Sequence, residues 1–149
     1  MSLRQASEAD LPGVLTVENA GFVADRWSEA LWRDELTGGD RAVLVHADAH
    51  EEIDAVATFQ AVADTVDLHR VVVHPVARRR GLATLLIVEG IAWGIERGAG
   101  RMLLEVDAAN APALACYERL GFATIAERRD YYAPGVHALV MERTLEGVR

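Results

Sequence analysis

The chain has a single cysteine, Cys116. That excludes an internal disulfide, and no paired Cys/His spacing suggests a zinc site, so no metal is expected. With nothing pointing to an oxidising compartment, a reducing cytoplasm is the expected location. Long hydrophobic runs are also missing. The longest apolar stretch, residues 82–95, contains Glu89 and is too short to span a bilayer. The opening residues Met1-Ser2-Leu3-Arg4-Gln5-Ala6 carry neither an apolar h-region nor a cleavage site, so a soluble protein is expected, with no membrane partner. Positive charge is in deficit: 15 Lys+Arg stand against 23 Asp+Glu, a net −8 at pH 7. A general nucleic-acid binder needs a positive field over an extended face, and this balance argues against one. Linkers, repeats and low-complexity tracts are absent as well. The expectation is therefore one domain over residues 1–149, with monomer and homodimer both open. Its 149 residues, 51% of them hydrophobic, suffice for a core without cross-links.

What is present reads as an alternation of strands and helices. A short strand over residues 3–6 leads to Asp10, a candidate N-cap for a helix with Pro12 in its first turn, ending near Ala20-Gly21. Ser28 can cap a second helix, with Trp27 and Trp32 at the two positions of a hydrophobic staple and Gly38-Gly39 as its stop. Between Ala42 and Val73 the β-branched content rises. Breaks at residues 48–52 and 63–64 divide this stretch into three strands of an antiparallel meander. A buried helix is expected over 82–97, a buried strand over 102–106, a helix capped by Asn110 that ends at Gly121, and two strands over about 122–131 and 137–145. The order β, α, α, β, β, β, α, β, α, β, β implies an α/β (α+β) fold. Its mixed, mostly antiparallel sheet of about seven strands should carry helices on both faces.

Against the acidic background, Arg78-Arg79-Arg80 is a local anion site. A strand running through a turn with Gly81 into a helix gathers unpaired N–H groups and the positive end of a helix dipole at one point, which suits phosphate. Gly81 lets an oxygen approach the backbone, and Ala83 is too small to shield the next amide. A basic helix start without a ligand is the competing explanation. A Walker loop needs Gly-Lys-Ser/Thr, and no lysine follows Gly81; a dinucleotide fingerprint needs three spaced glycines, and one is present.

At this point the residues form a pattern. Val71-Val72-Val73-His74-Pro75 followed by Arg78-x-x-Gly81-x-Ala83 resembles the acetyl-CoA-binding signature of the GNAT superfamily of N-acetyltransferases. The gap-free continuation to Leu104-Glu105-Val106-Asp107-Ala108-Ala109-Asn110 and Tyr117-Glu118-Arg119-Leu120-Gly121-Phe122 resembles the ribosomal-protein-alanine N-acetyltransferases, which acetylate protein N-termini. Trp27-Ser28 and Arg128-Arg129-Asp130-Tyr131-Tyr132 resemble that branch too. Asp107 and Cys116 depart from it, standing where an arginine and a leucine are common, and Asp54-Ala55 stands where a glycine is frequent. The resemblance implies acetyl-CoA as co-substrate and a protein N-terminus as acceptor. Lysine, a small-molecule amine, or a non-catalytic acyl-CoA-binding module are the alternatives. It implies that the main chain of Val71, Val72 and Val73 pairs with the pantetheine arm like an added strand. Arg78 and the turn Arg79, Arg80, Gly81, Leu82, Ala83 and Thr84 would hold the diphosphate, and Asn110 would bond the cofactor arm as well as cap its helix.

A thioester is already activated, so the enzyme must supply a neutral amine, a polarised carbonyl and a proton for the leaving thiolate. An α-amine with a pKa of roughly 7.7–8.0 needs only a weak base; a lysine near 10.4 costs roughly 3.5 kcal/mol more to neutralise. The resemblance makes Glu105 that base. Near the end of a buried strand, partial desolvation would raise its pKa toward the working range. The competing reading is a carboxylate satisfied by neighbouring amides or an arginine. Tyr117 would act as acid at the sulfur, or simply pack as an aromatic at its helix end. Trp27, His69, Tyr131 and Tyr132 are candidate acceptor-binding residues, though core packing explains the tryptophan equally well. Cys116 is expected to be a small buried hydrophobe rather than a nucleophile served by His46, His50, His69, His74 or His137. Glu29 and Glu35 are expected on a solvated helix face, with attraction of a basic peptide to the groove as the alternative.

Overall fold

A computed structural model of the protein describes residues 2–145. Strand β1 (Ser2–Gln5) is followed by α1 (Leu11–Gly21), α2 (Glu29–Thr37), β2 (Arg41–Ala47), β3 (Ile53–Val62) and β4 (Thr65–Val73). Then come α3 (Leu82–Glu96), β5 (Arg101–Asp107), α4 (Ala111–Arg119), β6 (Ala123–Ala133) and β7 (Val136–Thr144). The strands form one seven-stranded sheet in the order β1-β2-β3-β4-β5-β7-β6, antiparallel everywhere except between β4 and β5. Fold class and element order are as expected from the sequence.

Period-two alternation explains the layering, because successive strand residues point to opposite faces. On one face Val43, Val45, Val56 and Val72 pack under α1 and α2 around the fully buried Trp32. On the other, Leu44, Ala57, Phe59, Leu68, Met102 and Leu104 pack under α3 with Leu86, Ile87 and Ile91. Gly90 makes the close approach of α3 possible, since a Cβ there would lie 2.2 Å from the Phe59 ring. Among the described residues no helix is long and apolar enough to cross a membrane.

The expected caps are present in two of three cases. Ser28 accepts from the Leu31 N–H at 3.1 Å, and the Trp27 and Trp32 rings meet with centroids 5.0 Å apart, completing the staple. Asn110 Oδ1 accepts from the Ala113 N–H at 3.3 Å. Asp10 precedes α1 but does not cap it. Its carboxylate turns back to accept from the Ser7 N–H at 2.8 Å and to meet Arg4 at 2.8 and 2.9 Å, two fixed donors that outcompete the helix end.

Two irregularities interrupt the centre of the sheet. In β4, Leu68 pairs with Phe59 and Arg70 with Thr58, so His69 is the extra residue of a β-bulge. In addition, β4 and β5 pair only from Thr65↔Arg101 to Leu68↔Leu104 and then separate.

Candidate active site

The separation of β4 from β5 opens a cavity of about 870 Å³ in the middle of the sheet. Beyond Leu68, no strand among the described residues pairs with the edge of β4 that faced β5, so that edge of Val71–Val73 borders the gap. The cavity wall includes Trp27, His69, Val71, Glu105, Asn110, Tyr117, Tyr131 and Tyr132, which come from six different segments of the chain. Val72 and Val73 are not on that wall; Val72 is 3% exposed, with its side chain in the core beneath α1.

Glu105 sits on the open side of β5. Alternation sends Met102, Leu104 and Val106 into the core and turns Glu105 to the cavity, its side chain 34% exposed, with Arg128 of β6 at 3.5 Å. Glu105 therefore keeps contact with solvent on the cavity side, because the strand is buried on one face only. Tyr117 is the opposite case. Its ring is 9% exposed and packs edge-on against Phe122 at 6.0 Å. Burial, helped by the neighbouring Cys116 and Tyr132, pushes its phenol up to about 12. It is therefore a neutral hydrogen-bond donor at any working pH.

The arginine turn is a separate feature at the far end of β4, outside the cavity wall. Arg79 has φ 67° and Gly81, which precedes α3 directly, has φ 74° and ψ 19°. No backbone carbonyl among the described residues accepts from the N–H groups of residues 79–84. Arg79, Arg80 and Gly81 are exposed, and a Cβ on Gly81 would meet nothing within 4 Å. Leu82 is 6% exposed and packs in the core, so only its main chain faces outward, while Arg78 reaches back to the Gly21 carbonyl at 3.4 Å. Thr84 Oγ1 lies 3.9 Å from Cys116 Sγ, tying α3 to α4.

Cys116 is half-buried rather than buried, since α4 leaves that side partly open. Four of the five histidines have other partners: His46 with Asp54 at 2.6 Å, His69 with Glu35 at 2.8 Å, His74 with the Val76 N–H, and His137 with the Asp130 N–H. Asp54 thus occupies the β2–β3 bulge as a buried hydrogen-bond partner.

Sequence reasoning missed the groups that brace the segment between α1 and α2. Glu18 of α1 is fully buried and receives Arg70 bidentately at 2.8 and 2.6 Å, Trp32 Nε1 at 3.0 Å and the Trp27 N–H at 3.1 Å. Arg70 in turn lies over the Phe22 ring at 4.0 Å. This network pins residues 22–27 over β4. Losing one partner of such a buried pair costs about 3–5 kcal/mol. Glu35 is 6% exposed, not solvated as expected; it stands three residues after Trp32, on the same helix face, and that spacing was the available signal. It accepts from Thr58 Oγ1 at 2.9 Å and meets Arg41 Nε at 2.7 Å, an ion-pair contact whose N–H is not aimed at the oxygen.

A splayed β4–β5 pair, with an amide-rich helix start at the end of β4, defines the class. The chain belongs to the acetyltransferase (GNAT) family, whose model matches residues 11–122, and it is an N-acetyltransferase. It is 36% identical over 126 residues to the ribosomal protein bS18-alanine N-acetyltransferase of Salmonella typhimurium, spanning 85% of this chain and 83% of that protein. The Escherichia coli K12 enzyme of the same name is 34% identical over 123 residues, 83% of this chain and 81% of the other. The crystal structure of the ribosomal-protein-S18-alanine N-acetyltransferase from Escherichia coli superposes with a TM-score of 0.91 at 28% identity. That superposition covers 99% of this chain and 96% of that one.

Proposed function

We propose that this chain is a single-domain cytoplasmic enzyme that moves the acetyl group of acetyl-CoA to the N-terminal α-amine of a protein. A small-subunit ribosomal protein, as named for its relatives, is the favoured acceptor. The observation that carries the reading is the gap between β4 and β5, with Glu105 of β5 and the buried Tyr117 of α4 both on the wall of the cavity it opens. In this reading the thioester lies along the exposed edge of Val71, Val72 and Val73, where a main-chain N–H polarises its carbonyl. The N–H groups of Arg79, Arg80, Gly81, Leu82, Ala83 and Thr84 hold the diphosphate, while Arg78 adds charge. Because Asn110 spends its oxygen on the cap, its amide nitrogen is left to donate to the cofactor arm.

The acceptor enters between Trp27, His69, Tyr131 and Tyr132. The neutral amine attacks the thioester carbonyl, and Glu105 takes a proton from its nitrogen through water. As the C–S bond breaks, charge builds on sulfur. With Tyr117 near 12 against a thiol near 8.5, complete proton transfer is uphill by about 5 kcal/mol, so the tyrosine works as a hydrogen-bond donor to the thiolate.

The test is thiol release from acetyl-CoA with N-terminal peptides of small-subunit ribosomal proteins, free lysine and spermidine. Fastest turnover is expected with an Ala-initiated peptide. Turnover with lysine or spermidine but not with peptides would refute the acceptor; binding of acetyl-CoA without turnover on any amine would point to a non-catalytic acyl-CoA module.

A further inference from the structure

Acetylating an ammonium removes two protons from one nitrogen, and a single carboxylate accounts for one of them. The cavity holds a second acceptor. His69 is the bulge residue of β4, and bulges re-aim a side chain out of the regular ladder. Its ring lines the cavity and is 27% exposed, while Nδ1 lies 2.8 Å from Oε1 of Glu35, itself 7% exposed. Burial works to raise the Glu35 carboxyl, but hydrogen bonds from His69 and Thr58 and the charges of His69 and Arg41 outweigh it and hold the group below its ordinary value. An ionised carboxylate can only accept, so Nδ1 carries the hydrogen, and whenever the ring is neutral its lone pair sits on Nε2. His69 and Glu105 are also each the first residue beyond the last paired position, Leu68↔Leu104, so they flank the mouth of the gap from its two strands.

We propose that His69, oriented by Glu35, is the first of two proton acceptors for the acceptor amine, with Glu105 as the second; this rests on the acetyl-transfer reading above. The bound ammonium gives one proton to Nε2, and the imidazolium is stabilised by the Glu35 carboxylate. The freed lone pair forms the C–N bond at the thioester carbon. The nitrogen of the tetrahedral intermediate then gives its second proton to Glu105, the C–S bond breaks, and its electron pair stays on sulfur, held by Tyr117. The proton on Glu105 returns through water to the thiolate, and the one on His69 leaves to solvent. An ammonium and a thioester thus become an amide, a thiol and one free proton.

The surrounding charges fit a ring that must become cationic. Arg70 is neutralised by Glu18, and Arg128 lies against Glu105. The residual charge on the cavity wall comes from Asp25 of the α1–α2 connection, Asp67 beside His69 on β4, and Asp107 at the end of β5. Across the cavity, Tyr131 and Tyr132 contribute phenols.

The deciding measurement is kcat/KM of the full chain for an Ala-initiated peptide from about pH 6 to 10. At about pH 7 only one in roughly 6–11 α-amines is neutral without help. His69→Gln is therefore expected to lose about tenfold there and less than about twofold near pH 9.5, with the KM for acetyl-CoA unchanged. Glu35→Gln should lower kcat/KM at about pH 7 in the same sense but to a smaller extent. Should that buried change prevent folding, His69→Ala with added imidazole serves instead, and recovery of activity near neutral pH is expected. A His69→Gln profile that parallels the wild type at every pH, or imidazole without effect, overturns the proposal alone. A wild type that releases no thiol with any amine overturns the acetyl-transfer reading and this inference together.

Discussion

Tyr117→Phe removes one oxygen and leaves the rest of the side chain in place. The ring keeps its edge contact with Phe122 and its burial, so stability should change by no more than about 0.5 kcal/mol and Tm by at most about 2 °C. The catalytic loss is that of a hydrogen bond to a charged atom, about 1.5–3 kcal/mol. That converts to a fall in kcat of about 10- to 150-fold. Because the bond is made to charge that exists only as the thioester breaks, the KM for acetyl-CoA should stay constant. The assay is thiol release with a chromogenic disulfide, corrected for the single thiol of Cys116, alongside a melting curve. The same variant carries a pH signature. A phenol raised by burial from 10.0 to about 12 leaves stability whole below about pH 10 and erodes it as the pH climbs toward 12, where the unfolded chain ionises first. Tyr117→Phe should remove that part of the alkaline loss. A kcat within twofold of the wild type at unchanged Tm would refute the assignment of the thiolate donor.

Glu105→Gln should reduce kcat/KM for a peptide at about pH 7 and, because the tetrahedral intermediate still has a proton to lose, at about pH 9.5 as well; full activity at neutral pH would remove Glu105 from the base role. Arg79→Glu with Arg80→Glu places two negative charges on the exposed turn. It should abolish most of the rise in Tm that acetyl-CoA produces in the wild type, as read by thermal shift, and an unaltered rise would put the diphosphate elsewhere. Glu18→Ala strands the Arg70 guanidinium and opens space beside Trp32. About 3–5 kcal/mol should be lost, lowering Tm by roughly 6–20 °C, and a drop below about 2 °C would mean that water replaces the carboxylate.

Much of this protein was legible along the chain because its signals act over a few residues. Ser28 and Asn110 cap helices through bonds three residues long, and the glycine before Leu82 meets the turn's need for positive φ at once. Hence the element order, the mixed sheet and the amide-rich turn followed from sequence. Glu105 and Tyr117, twelve positions apart, line one cavity.

Only the tertiary structure decided the environment of those groups. Glu105 looked buried because its strand is, yet alternation within a half-buried sheet puts it in the open beside Arg128. Glu35 looked solvated and is enclosed, joined to His69 across 34 positions, while Glu18 and Arg70 meet across 52. No local pattern encodes such pairings, because they depend on strand register and on a bulge that turns one side chain out of line. Likewise, the point at which β4 leaves β5 is set by how two distant strands twist and pack. Short-range chemistry selects the parts, and long-range register selects which of them share a cavity.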